Sequence, residues 1–163
     1  MYPCSSGVAE SPADFPYAVE SLLPQSGTMV LVDKVLEAGE GHIVVEMTVR
    51  DDGLFSGPDH TVPAWVGLEY MAQAVAAYSG YQRKRRGLDI ELGFLLGTRF
   101  YQCSVGEFKC GAKLEIRAEK IIEAANDMAV FDCRLTGEGV EATSKLNLLM
   151  PQDTQKFLTE KGI

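Results

Sequence analysis

The amino-acid sequence predicts an α+β domain in which a curved, mostly antiparallel sheet wraps one long central helix. Three observations carry that expectation. Two β-branched segments precede the helix, four strand-like segments follow it, and the helical segment itself, PAWVGLEYMAQAVAAYSGYQRKRR, is apolar on every side. On a 3.6-residue wheel Trp65, Val66, Leu68, Met71, Ala72, Val75 and Ala76 do not share one stripe, so this helix must be surrounded. One protomer's sheet leaves a side uncovered, and a second protomer is the simplest cover, which makes a dimer the expected state.

Along the chain, residues 1–14 hold Ser, Gly, Pro and Ala without periodicity and read as a flexible N-terminal arm, with residues 15–163 forming a single domain. Phe15 to Leu22 reads as a short helical turn closed by Pro24. MVLVDKVLEA is expected as a strand that breaks at Gly39 and Gly41, with HIVVEMTV pairing back onto it. A Gly/Asp/Pro-rich loop runs from Asp51 to His60. The helix follows, with Pro63 in its first turn and basic residues at its far end. LGFLLGTRFYQC, KLEIRAEKII, MAVFDCRLTG and VEATSKLNLLM then read as strands separated by Gly- or Asn-containing turns.

Composition narrows the function. With 163 residues and 46% hydrophobic content the chain can bury a real core. A formal charge of -8 disfavours nucleic acid and anionic membrane as partners, because the mean field repels polyanions. No apolar run long enough for a membrane span and no basic, then apolar, leader is present, so a cytoplasmic location is expected. Cys4, Cys103, Cys110 and Cys133 form no CxxC pair and read as reduced thiols. Neither a metal nor a cofactor is expected.

Within the apolar helix two polar side chains stand out, Glu69 and Gln73, four residues apart and on one face. An ionised carboxylate buried without a partner is costly, so Glu69 is paired, protonated or open to a cleft. In a cleft it is a usable general acid, and otherwise it accepts hydrogen bonds that fix the packing. His60, in the loop upstream, is a candidate base or an exposed loop histidine. The N–H groups of Ala64, Trp65 and Val66 lie at the positive end of the helix dipole and could polarise a thioester carbonyl, a role worth about 2.7–4 kcal/mol per donor in oxyanion sites. Arg83, Lys84, Arg85 and Arg86 either complement the helix C-terminus on a solvated face or dock an acidic carrier protein or a pantetheine phosphate.

Taken in order and spacing, PQSGTMVLVDKVLE, VPAWVGLEYMAQAV and LLGTRFYQCSVGEFKCGAKLEI resemble the β-hydroxyacyl-acyl-carrier-protein dehydratases of the hot-dog fold, most closely the branch associated with aryl polyene clusters. The resemblance spans roughly residues 20–150 and implies a curved sheet wrapped around a central helix, the hot-dog fold. In that family a loop like GHFPGxPxxPGxLxxE supplies a catalytic His, and the acidic residue of the helix comes from the other subunit. Glu69 matches the acidic position, Pro63 the proline before the helix, and Ala64 the glycine whose N–H holds the thioester carbonyl. The loop FSGPDHTVPAWVG departs from the pattern around the histidine, and His60 is its only local candidate.

The resemblance implies dehydration of a 3-hydroxyacyl thioester, carried on acyl carrier protein or on coenzyme A, with His60 as base and Glu69 as acid. Two other readings stand beside it. A catalytically weak subunit could pair with a related active one in a heterodimer rather than a homodimer. A hot-dog thioesterase could use Glu69 and Gln73 to orient a hydrolytic water.

Overall fold

The computed structural model describes residues 17–163, so the expected arm at 1–14 lies outside the described residues. Among these, eight strands and two α-helices occur: β1 (Lys34–Ala38), β2 (His42–Thr48), β3 (Thr61–Pro63), α1 (Gly67–Arg85), β4 (Phe94–Cys103), β5 (Glu107–Lys109), β6 (Lys113–Glu123), β7 (Met128–Gly137), β8 (Val140–Leu149) and α2 (Thr154–Lys161). Six of the strands form one antiparallel sheet in the order β1-β2-β6-β7-β8-β4, and β3 pairs with β5 in a separate two-stranded ribbon.

Period-two patterning sets the faces of the sheet. Leu114, Ile116 and Ala118 of β6, Phe131, Cys133 and Leu135 of β7, and Ala142, Leu146 and Leu148 of β8 point inward and are buried, while charged neighbours such as Glu115, Arg117 and Asp132 point out. The inward set encloses Met71, Ala74, Val75 and Tyr78 of α1, and the Tyr78 ring stands edge-on to Phe131 at 5.4 Å. On another side α1 presses against the 3-10 turn Val19–Ser21. A Cβ at Gly80 would lie 1.9 Å from the Leu22 carbonyl oxygen, so only glycine permits that approach.

Enclosure is not complete. Trp65, Leu68, Glu69, Ala72, Ala76 and Ser79 are exposed or half-buried, and at about 100° per residue they share one arc about 100° wide. The expected strand at 29–38 is shorter than its apolar run suggests, because Gly27–Met29 forms a 3-10 turn and Leu31 N–H is held by a side chain of α1 instead of by a strand. Residues 17–22 yield only the 3-10 turn Val19–Ser21, and Pro63 ends β3 ahead of the helix. The short β3 and β5 and the C-terminal α2 are additions to the predicted elements. None of the described helices is long and apolar enough to cross a membrane.

Candidate active site at the start of the central helix

The β3–β5 ribbon fixes where the helix begins. Pro63 lies opposite Glu107, a 3-10 turn at Ala64–Val66 follows, and α1 starts at Gly67. Ala64 N–H donates to the Gly106 carbonyl at 3.0 Å, and Tyr101 Oη donates to the Ala64 carbonyl at 2.5 Å. The Ala64 donor expected for a thioester is therefore engaged within the fold. Val66 belongs to the same 3-10 turn, whereas the Trp65 N–H has no partner among the described residues. Tyr101 passes so close that a Cβ at Gly67 would lie 2.2 Å from its hydroxyl.

Glu69 sits half-buried on the open arc, and its Oε1 accepts from Gln73 Nε2 at 3.1 Å. Gln73 is fully buried and ties the helix to the segment before β1: its Nε2 also donates to the Met29 carbonyl at 2.7 Å, while its Oε1 accepts from Leu31 N–H at 2.8 Å. Gln73 thus uses both ends of its amide on the fold, and its third bond steadies the Glu69 carboxylate.

His60 turns the other way. Its side chain is 74% exposed, its backbone is left-handed at φ 56°, and its Nδ1 is bonded to Asp51 Oδ2. That bond from His60 holds the Asp51 carboxyl below its ordinary range. No hydrogen bond or ion pair joins His60 to Glu69 among the described residues. In GHFPGxPxxPGxLxxE the histidine stands eight positions before the proline that precedes the helix; counting back from Pro63 without a gap reaches Phe55, not His60. Phe55 is half-buried and meets Trp65 edge-on at 6.5 Å. Its type hid it from the sequence reading, since a loop phenylalanine carries no acid–base signal.

The basic run separates into distinct roles. Arg83 donates to the Gln152 carbonyl at 3.3 Å, bonds the Asp89 carbonyl and lies 3.8 Å from Glu91, all of which pin the chain leading to α2. Lys84 lies over the Tyr17 ring at 5.2 Å and Arg85 over Tyr81 at 5.5 Å, while Arg86 is exposed. Arg83, Arg85 and Arg86 line a cavity of about 490 Å³ with Tyr78, Lys120 and Glu123, at the opposite end of α1 from Glu69.

A six-stranded antiparallel sheet around one central helix, with a carboxylate on the helix near its start, defines a hot-dog protein. The dehydratase heterocomplex ApeI:P from Xenorhabdus doucetiae has this architecture too, at 32% identity and a TM-score of 0.78, over 88% of this chain and 97% of that one. The ApeP dehydratase family matches residues 17–159, and the chain belongs to the ApeP-like dehydratase family. More distant structures share the fold alone: protein PH1136 from Pyrococcus horikoshii (16% identity, TM-score 0.59, 84% and 96% covered) and the PaaI protein of Escherichia coli from the phenylacetic acid degradation operon (14%, 0.52, 72% and 78%). Among curated proteins none matches the chain.

Proposed function

We propose that this chain is one subunit of a heteromeric hot-dog dehydratase that converts a 3-hydroxyacyl thioester, presented on acyl carrier protein, to the trans-2-enoyl thioester during polyene or fatty acid-like synthesis in the cytoplasm. Glu69 protonates the leaving hydroxyl, the Trp65 N–H polarises the thioester carbonyl, and a base from the companion subunit takes the C2 proton. The observation that carries this reading is the separation of the two candidate groups. Glu69 lies on the open arc of α1 with Gln73 as its side-chain partner, while His60 is drawn to Asp51 in solvent. Membership of the ApeP-like dehydratase family and likeness to a dehydratase heterocomplex support it. Arg86, with Arg85 and Lys84, offers the carrier a cationic face, whereas Arg83 is occupied within the fold.

The test is turnover of a 3-hydroxyacyl carrier substrate by the purified chain, alone and mixed with a related hot-dog subunit. The mixture turns over and the chain alone does not. Glu69→Gln in the mixture removes most of the rate, and His60→Ala leaves it intact. Robust turnover by the chain alone that His60→Ala abolishes would return the base to His60 and remove the companion from the chemistry.

A further inference from the structure

Tyr70, Tyr78 and Tyr101 are buried or half-buried, and two of them have spent their hydroxyls. Tyr78 donates to the Glu40 carbonyl and Tyr101 to the Ala64 carbonyl. Tyr70 is the exception: it is 3% exposed, its ring lies 5.9 Å from Phe108, and its hydroxyl has no hydrogen-bond partner among the described residues. The oxygen is not sealed in the core: among the described residues Gln25 Oε1 is the side-chain atom both buried and unpartnered, so the Tyr70 oxygen keeps access to open space. Burial pushes Tyr70 up to about 12, so the hydroxyl keeps its proton at neutral pH.

Tyr70 lines a small cleft of about 10 Å³ with Leu31, Met47, Phe55, Val62, Arg50 and Asp52, and the charges of Asp52 and Arg50 act on its hydroxyl. The volume suits a single oxygen-sized group. Arg50 is committed elsewhere: it donates to the Val30 carbonyl at 2.6 Å and to Asp33 Oδ1 at 3.1 Å. Asp52, whose Oδ1 accepts from Leu54 N–H at 3.0 Å, keeps its negative charge at the rim. A neutral O–H donor beside that carboxylate suits a neutral oxygen acceptor better than a carboxylate or phosphate. Phe55, one wall of the cleft, touches Trp65, whose N–H is the unpartnered donor at the helix start.

We infer that the Tyr70 hydroxyl binds a neutral oxygen of the acyl thioester, the 3-hydroxyl or the thioester carbonyl, in the cleft beneath the Asp51–His60 loop. Tyr70 and Glu69 diverge by about 100° around α1, so the two groups address the ligand from different sides. The assignment rests on the acyl-thioester reading above, and its test separates the two.

Calorimetry of the full-length protein in its native assembly, wild type against Tyr70→Phe, uses three pantetheine ligands of equal length: the 3-hydroxyacyl thioester, the saturated acyl thioester, and the 3-hydroxy thioether that lacks the carbonyl. If Tyr70 holds the 3-hydroxyl, the variant loses about tenfold in affinity for both hydroxylated ligands and nothing for the saturated thioester. If it holds the carbonyl, both thioesters weaken by about tenfold and the thioether does not. The variant melts at the wild-type temperature or above it, since an unpartnered hydroxyl supports no bond. Equal affinities of the two proteins for all three ligands, or a melting point lowered by several degrees, overturns the assignment to Tyr70 while leaving the dehydratase reading in place. A wild type that binds none of the three overturns both.

Discussion

Single atoms decide several features of this molecule. Alanine is the better helix former, yet at Gly80 its Cβ would sit 1.9 Å from the Leu22 carbonyl, a backbone group that cannot step aside. Gly80→Ala therefore destabilises by about 1–3 kcal/mol or more, read as a lower urea midpoint, despite its propensity gain. Buried acids give a second prediction. Burial raises Cys133 from 9.0 to about 12 and Tyr70 from 10.0 to about 12. Above about pH 9 the unfolded chain releases protons that the fold retains, so stability falls with rising pH until about pH 12, by about 1.4 kcal/mol per unit for each group in its window. Urea midpoints should decline between about pH 9 and about pH 11, and Cys133→Ala should flatten the lower part of that decline. Glu69 and Gln73 were legible in the sequence because two polar residues at i and i+4 interrupt an apolar helix. Phe55 and Tyr70 were not, because an aromatic reads as core, and a missing hydrogen bond leaves no trace in residue type. The use of the Ala64 N–H was equally hidden, since its acceptor, the carbonyl of Gly106, comes from a distant turn.

At the scale of elements, the strands most readable in the sequence are those with strict alternation, β6, β7 and β8, where a one-residue slip would turn every apolar side chain to solvent. The segment before β1 looks like strand in the sequence but is not one, because its β-branched run is held by Gln73 and Arg50 rather than by a neighbouring strand. The helix α2 is hard to read from the sequence because it is short, although its signals are present: Asp153 Oδ1 accepts from Lys156 N–H at 2.9 Å, and Gly162 closes the helix at φ 71°. It packs through Phe157 on Phe94 at 6.1 Å. Asp153→Ala should cost about 1 kcal/mol, measured by thermal melting. Gln73→Leu should cost more, because it strands the buried Leu31 N–H away from water, at about 1–3 kcal/mol, and removes the bond to the Met29 carbonyl as well.

For the whole molecule, the open arc of α1 and the free edge of the sheet argue together. β4 is the last strand of its sheet, with Leu95, Leu96 and Phe100 between 40% and 53% exposed, and Trp65 at the helix start is 64% exposed. Tyr101 joins the two regions, since it lies on β4 and bonds Ala64 beside Trp65. A long edge strand with apolar side chains is a pairing site unless something covers it, and an element covering β4 would also reach the arc that bears Glu69. A second hot-dog subunit pairing along β4 would cover both and bring its own loop toward Glu69. Leu96→Lys and Phe100→Glu, placed together on β4, should therefore weaken association with such a subunit and abolish turnover of the mixture, while circular dichroism and the melting point of the isolated chain stay near wild type, because neither side chain is in the core. Light scattering that finds the double variant associated as before, with turnover intact, would move the interface away from β4.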